Sequence, residues 1–119
     1  SDRGLGLRGA KVLLLGVAYK ADIDDPRESP SAEVLHLLME RGAVVTYHDP
    51  HVGHFTEKGH DLFSQPLNES CLREADLVLI LTDHHDVDYG LVVRASRIIL
   101  DTRNATRNIP GRTANVILL

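Results

Sequence analysis

The chain has 119 residues, 43% of them hydrophobic and 25% charged, with a formal net charge of −4. That is the length of one domain with its own core, and its acidic balance, with no Lys or Arg run longer than two residues, argues against a nucleic-acid partner. No apolar stretch approaches the ~20 residues of a membrane span, and a single cysteine, Cys71, excludes an internal disulfide framework and fits a reducing, cytoplasmic compartment.

Residues 1–8 read as a linker. The start, Ser1-Asp2-Arg3-Gly4, lacks an initiator Met and the basic and apolar regions of a signal peptide, as expected of a cut fragment or a processed product. Gly4-Leu5-Gly6-Leu7-Arg8-Gly9 matches G-x-G-x-x-G letter for letter. The dinucleotide fingerprint works only between a strand and the helix it opens, and here it precedes the first strand.

Lys11 to Gly16 is a short apolar run ending in glycine, the pattern of a buried parallel strand. A polar loop of about 13 residues, Val17 to Ser29, follows, where βα connections usually need ~2–6. Ser29-Pro30 reads as an N-cap and first helical position. The helix carries Val34, Leu35, Leu37, Leu38 and Met39, with the spacing 34, 37, 38, 41 placing the apolar bulk on one face, and Gly42 ends it. Ala43 to Tyr47 is a second strand, closed by Asp49-Pro50. Residues 51–67 read as a loop with a short strand, Asn68 to Ala75 as a short helix and Asp76 to Leu81 as a third strand. Val87 to Ala95 reads as a helix, Arg97 to Leu100 as a fourth strand and Asn115 to Leu118 as a fifth. This alternation predicts a three-layer, Rossmann-like α/β domain with a mostly parallel sheet of five or six strands. With three Tyr, two Phe and no Trp, its core must be aliphatic.

In such sheets ligands bind at the carboxyl ends of the strands, near the point where strand order reverses. The first loop there holds Tyr19-Lys20 and Asp24-Asp25-Pro26-Arg27-Glu28-Ser29 and ends at a helix N-terminus. Cations beside free N–H groups suit phosphate or carboxylate. The alternative is a solvated loop whose charges pair locally. After the fourth strand, Arg103 in Asp101-Thr102-Arg103-Asn104 could clamp a diphosphate from the side opposite Lys20, or pair with a neighbouring carboxylate. His48, His51 and His54 step by three and His84-His85 lie beside Asp83. They occupy two separate loops, so solvated or locally bonded histidines are expected rather than a metal centre. Cys71 is expected to be a small buried helix residue, not a nucleophile.

Together, Gly16-x-x-Tyr19-Lys20, Asp25-x-Arg27-Glu28-Ser29-Pro30, Tyr47-x-Asp49-Pro50 and Asp101-x-Arg103-Asn104 resemble the C-terminal UDP-binding domain of the UDP-glucose/GDP-mannose dehydrogenase family, from about Gly9 to the end. Asp101 to Asn104 and Thr82-Asp83-His84 look closer to the branch oxidising UDP-N-acetylmannosamine or related sugars. The resemblance implies an enzyme of polysaccharide biosynthesis, a homo-oligomer when full length. It oxidises a sugar C6 alcohol to a carboxylate in two NAD-dependent steps, through a thiohemiacetal and a thioester. An N-terminal domain binds NAD and a central region supplies the catalytic Cys. This chain holds neither, so alone it is expected to be inactive, with residues 9–119 as the UDP-sugar-binding domain. Carried over by position, Tyr19, Lys20 and Arg103 would bind the UDP-sugar and Arg27 would reach toward NAD.

Two other classes share this architecture. A phosphoacceptor receiver-like domain would use Asp24-Asp25 and Asp83, but it needs a Lys after the fifth strand, where this sequence stops at Leu119. An oligomerisation or docking module is the third.

Overall fold

The computed structural model of the chain describes residues 6–18 and 30–119. Five strands form one wholly parallel sheet. They are β1 (Lys11–Leu15), β2 (Val44–His48), β5 (Leu77–Ile80), β6 (Ile99–Asp101) and β7 (Val116–Leu118), in the order β2-β1-β5-β6-β7. A separate antiparallel hairpin joins β3 (His54–Glu57) to β4 (His60–Phe63). The helices are α1 (Pro30–Glu40), α2 (Glu69–Glu74) and α3 (Tyr89–Ala95), with a 3₁₀ turn at Arg112–Ala114.

The apolar run of β1 is explained by its place at the centre of the sheet. Leu13 and Leu15 point to one face, where they pack with Leu72 and Ala75 of the α2 region and with Val92 and Val93 of α3. Val12 and Leu14 point to the other, with Leu35 of α1, Tyr47 of β2 and Phe55 of the hairpin. A strand covered on both faces cannot alternate polar with apolar residues. The result is three layers around an almost entirely aliphatic core.

Most predicted elements are present with shifted ends. The fourth strand starts two residues later than the predicted Arg97 and takes in Asp101. The third helix begins at Tyr89, with Asp88 as its cap: the Asp88 side chain accepts a hydrogen bond from the Leu91 N–H. Asn68 caps α2 in the same way through the Cys71 N–H. Gly42, with φ of 88°, closes α1 as expected, its N–H donating to Met39 O.

Two expectations need correction. The buried line of α1 runs through Ser31 and Leu35, flanked by Val34, Leu38 and Met39, while Leu37 is 42% exposed. The spacing that includes residue 37 therefore named the wrong edge of the stripe. Residues 51–67 contain two strands, not one. Their turn is Lys58-Gly59, both at positive φ (48° and 83°), the geometry of a tight hairpin turn. The segment after β4 then runs beside β2, with the Gln65 N–H donating to Tyr47 O.

Strand order reverses between β1 and β5: the chain leaves β1 for β2 on one side and returns as β5 on the other. The carboxyl ends of these strands meet closely. Leu81 N–H donates to Leu15 O, and Gly16 N–H donates to His48 O. Gly16 sits at φ +89°, and a Cβ there would lie 2.6 Å from Thr82 Cβ.

Candidate functional site

Three loops converge at this reversal point, and one buried carboxylate organises them. Asp49 follows β2 and is 3% exposed. Its Oδ2 accepts from the N–H groups of Val17 (2.8 Å) and Ala18 (3.2 Å), just after β1. The same oxygen lies 3.0 Å from Nε2 of His84, in the loop after β5, a residue with no exposure. A carboxylate can only accept, so Nε2 carries the proton of this contact. Asp49 Oδ1 accepts from the N–H groups of His51 and Val52, closing the turn after β2. Thr82 Oγ1 adds a further tie by donating to Ala18 O at 3.0 Å.

On α3, Tyr89 braces the β5 loop. Its hydroxyl donates to Thr82 O and accepts from the His84 N–H. Burial, helped by the negative charge of Asp83, pushes its phenol well above the ordinary value. Tyr89 is thus a neutral structural bridge. Ser31, in the first turn of α1, donates to Gly16 O, so that helix starts beside the same corner.

The loop after β6 is built around Asp101, which has no exposure. Its Oδ1 accepts from the N–H groups of Arg103 and Ala105, and its Oδ2 from the N–H and hydroxyl of Thr106. Burial opposes its charge, but these bonds outweigh burial and hold the carboxyl below its ordinary value. Asn104 takes φ of 55°, and Arg112 Nη1 donates to its Oδ1 at 2.6 Å.

This loop presents Arg103 at the carboxyl edge. The Arg103 Nε donates to Leu81 O at 3.1 Å, which draws the guanidinium across to the end of β5. The Asp101 side chain takes the Arg103 backbone N–H, and among the described residues no carboxylate pairs with its guanidinium. Arg107, by contrast, is engaged with Asp83 at 3.2 Å. Among the described residues, the local-pairing alternative therefore describes Arg107.

The sequence of residues 13–108 matches the model of the UDP-glucose/GDP-mannose dehydrogenase family, UDP binding domain. The chain belongs to this family. A UDP-N-acetyl-D-mannosamine dehydrogenase of Methanococcus maripaludis is 34% identical over 84% of the chain and 24% of its own length. A UDP-glucose 6-dehydrogenase of Rhizobium meliloti is 31% identical over 87% of the chain and 25% of its own length. The solved UDP-glucose dehydrogenase of Pyrobaculum islandicum aligns with a TM-score of 0.69 at 29% identity, covering 98% of the chain and 26% of that structure. The chain thus spans about a quarter of the length of the relatives it matches.

Within this UDP-binding domain, Arg103 stands at the carboxyl edge beside the reversal point. Tyr19, Lys20 and Arg27 lie outside the described residues. Asp49, Thr82 and His84 carry the corner, and sequence reasoning gave none of them a role there. Asp49 sits in the Tyr47-x-Asp49-Pro50 motif, which was a signal, but its partners are 31 to 35 residues away. His84 stood out as one of several histidines and within Thr82-Asp83-His84, but not as a partner of Asp49. Those histidines are bonded separately: His48 Nδ1 to Gln65 O, His51 to Asp86 and His54 to Asp61. Among the described residues no group of three or more His, Cys, Asp or Glu converges as a metal site. The phosphoacceptor alternative gains no support, since its candidate Asp83 is held by Arg107.

Proposed function

We propose that residues 9–119 form the UDP-sugar-binding part of a cytoplasmic, NAD-dependent nucleotide-sugar 6-dehydrogenase, one that oxidises a sugar C6 alcohol to a carboxylate for polysaccharide biosynthesis. The observation that carries this reading is Arg103: a guanidinium drawn to the end of β5 with no carboxylate partner among the described residues. A planar fork in that position suits a diphosphate. Lys20, two residues past Ala18, supplies the second positive charge, Tyr19 lies against the nucleotide, and Arg27 faces NAD.

The N–H groups of Val17 and Ala18 already serve Asp49. In a dinucleotide fold the corresponding turn cradles a pyrophosphate. Here the anion at that turn is internal, so the described residues do not fit NAD. On this reading NAD and the catalytic Cys belong to the parts of the relatives that this chain does not match, the full enzyme is a homo-oligomer, and no hydride-transfer step arises from this chain.

The test is NMR titration of the chain with UDP. Resonances of Arg103, Leu81 and the segment after β1 are expected to move. Arg103→Ala and Lys20→Ala should each weaken binding by about tenfold or more, as loss of a charge-assisted hydrogen bond implies. Unmoved resonances at millimolar UDP would sink the proposal.

A further inference from the structure

The Asp49–His84 pair is built more expensively than a structural tie requires. Both side chains are buried, at 3% and 0% exposure, and a buried pair returns little net stability against an apolar replacement of similar shape. Its geometry is specific. The two Asp49 oxygens take five donors, from Val17, Ala18, His51, Val52 and His84. An amide at this position would turn an NH₂ group toward some of those donors, so the site demands a carboxylate. The donors come from three loops, after β1, β2 and β5. Ala18, at the start of the first loop, is pinned through its N–H by Asp49 and through its carbonyl by Thr82. Tyr19 and Lys20 follow directly in sequence.

We propose that His84 and Asp49 are positioning residues for the nucleotide. Their contact locks the Val17–Ala18 backbone to the end of β5, and so fixes the point from which the chain proceeds to Lys20 relative to Arg103. Arg103 is fastened to that same strand end, because its Nε bonds Leu81 O, three residues before His84. The pair therefore sets where the chain leaves the end of β1, at Ala18, relative to the strand end that holds Arg103. This inference rests on the proposed role of Lys20 and Arg103.

Two measurements on the full chain test it. UDP affinity is read by calorimetry for the wild type, His84→Leu, His84→Gln and Leu72→Ala, at a temperature where each is folded. His84→Leu removes the donor, His84→Gln restores one, and Leu72→Ala truncates a core residue on α2 as a control for lost stability. The expected result is a loss of about tenfold in His84→Leu, the scale of one charge-assisted contact, with His84→Gln recovering most of it and Leu72→Ala unchanged. Wild-type affinity in His84→Leu, or an equal loss in Leu72→Ala, overturns the proposal. Should His84→Leu not fold, the exchange measurement on the wild type decides: slow exchange at Val17 and Ala18 upholds the lock, and fast exchange overturns it. The second measurement is hydrogen exchange at the Val17 and Ala18 amides without ligand. Slow exchange in the wild type that becomes fast when the donor is removed is expected; fast exchange in the wild type overturns the lock whether or not UDP binds. Absence of UDP binding by the wild type, with those amides protected, would instead count against the function proposed above.

Discussion

Two buried aspartates stand at the carboxyl edge of the sheet, on opposite sides of the reversal point, and they work differently. Asp101 takes its four donors from residues two, four and five positions on, and closes its own loop. Asp49 closes a turn with one oxygen in the same way. With the other it reaches partners 31 to 35 residues distant and ties three loops together. The same side chain thus shapes one loop in the first case and sets the relation between loops in the second. Local closure survives small shifts of the surrounding elements. Long-range closure makes the site depend on the whole sheet being in register.

The largest expected effect separates the two roles. Asp49→Ala strands a buried imidazole and four backbone donors, and should cost about 3–5 kcal/mol, measured by chemical denaturation. A loss below 1 kcal/mol would mean that the three loops are held without it. Gly16→Ala attacks the same corner from the backbone: a Cβ at 2.6 Å from Thr82 Cβ, at a φ of +89°, should cost about 3 kcal/mol and shift the amide resonances of both Val17 and Thr82. Shifts confined to the β1 side would show that the corner is not one unit.

Asp101→Asn tests the local design and should cost about 2 kcal/mol at neutral pH, since an amide cannot accept from every Thr106 donor. The sign of its pH dependence follows from the lowered carboxyl. Its stabilisation is fully present above the ordinary aspartate range and fades as pH falls through the lower folded value. The stability gap between wild type and Asp101→Asn should therefore narrow on acidification below about pH 4; a gap that widens would refute the assignment. The smallest effect is expected from Arg112→Ala, about 0.5 kcal/mol, because that bond only steadies Asn104 from outside the loop.

Local closure was also what the sequence made legible. Asp101-Thr102-Arg103-Asn104 follows an apolar run, and its carboxylate bonds almost within that stretch, so the loop and its exposed Arg103 could be read together. The strands were legible because burial on both faces leaves an unbroken aliphatic run, as in Val12 to Leu15. The hairpin was not. His54, Thr56, His60 and Asp61 give it a polar character, and its turn begins with Lys58 at positive φ, where Asn or Asp is the usual mark. Leu37 misled because a helix of five closely spaced apolar residues offers more than one stripe, and only the neighbouring sheet chooses. The Asp49–His84 pair was beyond reach for a plainer reason: nothing in either residue's neighbourhood announces a partner across two strands.

The central position of β1 also has a consequence in time. Its partner β5 begins 66 positions later than β1 itself, at Leu77 against Lys11. A strand pairing across so long a loop forms late, because chain entropy must be spent before the contact repays it. During synthesis, β1 and β2 can associate long before β5 has emerged, with one edge of β1 still bare. The corner around Asp49 can close only after His84 has emerged, so it cannot seed the folding of the sheet.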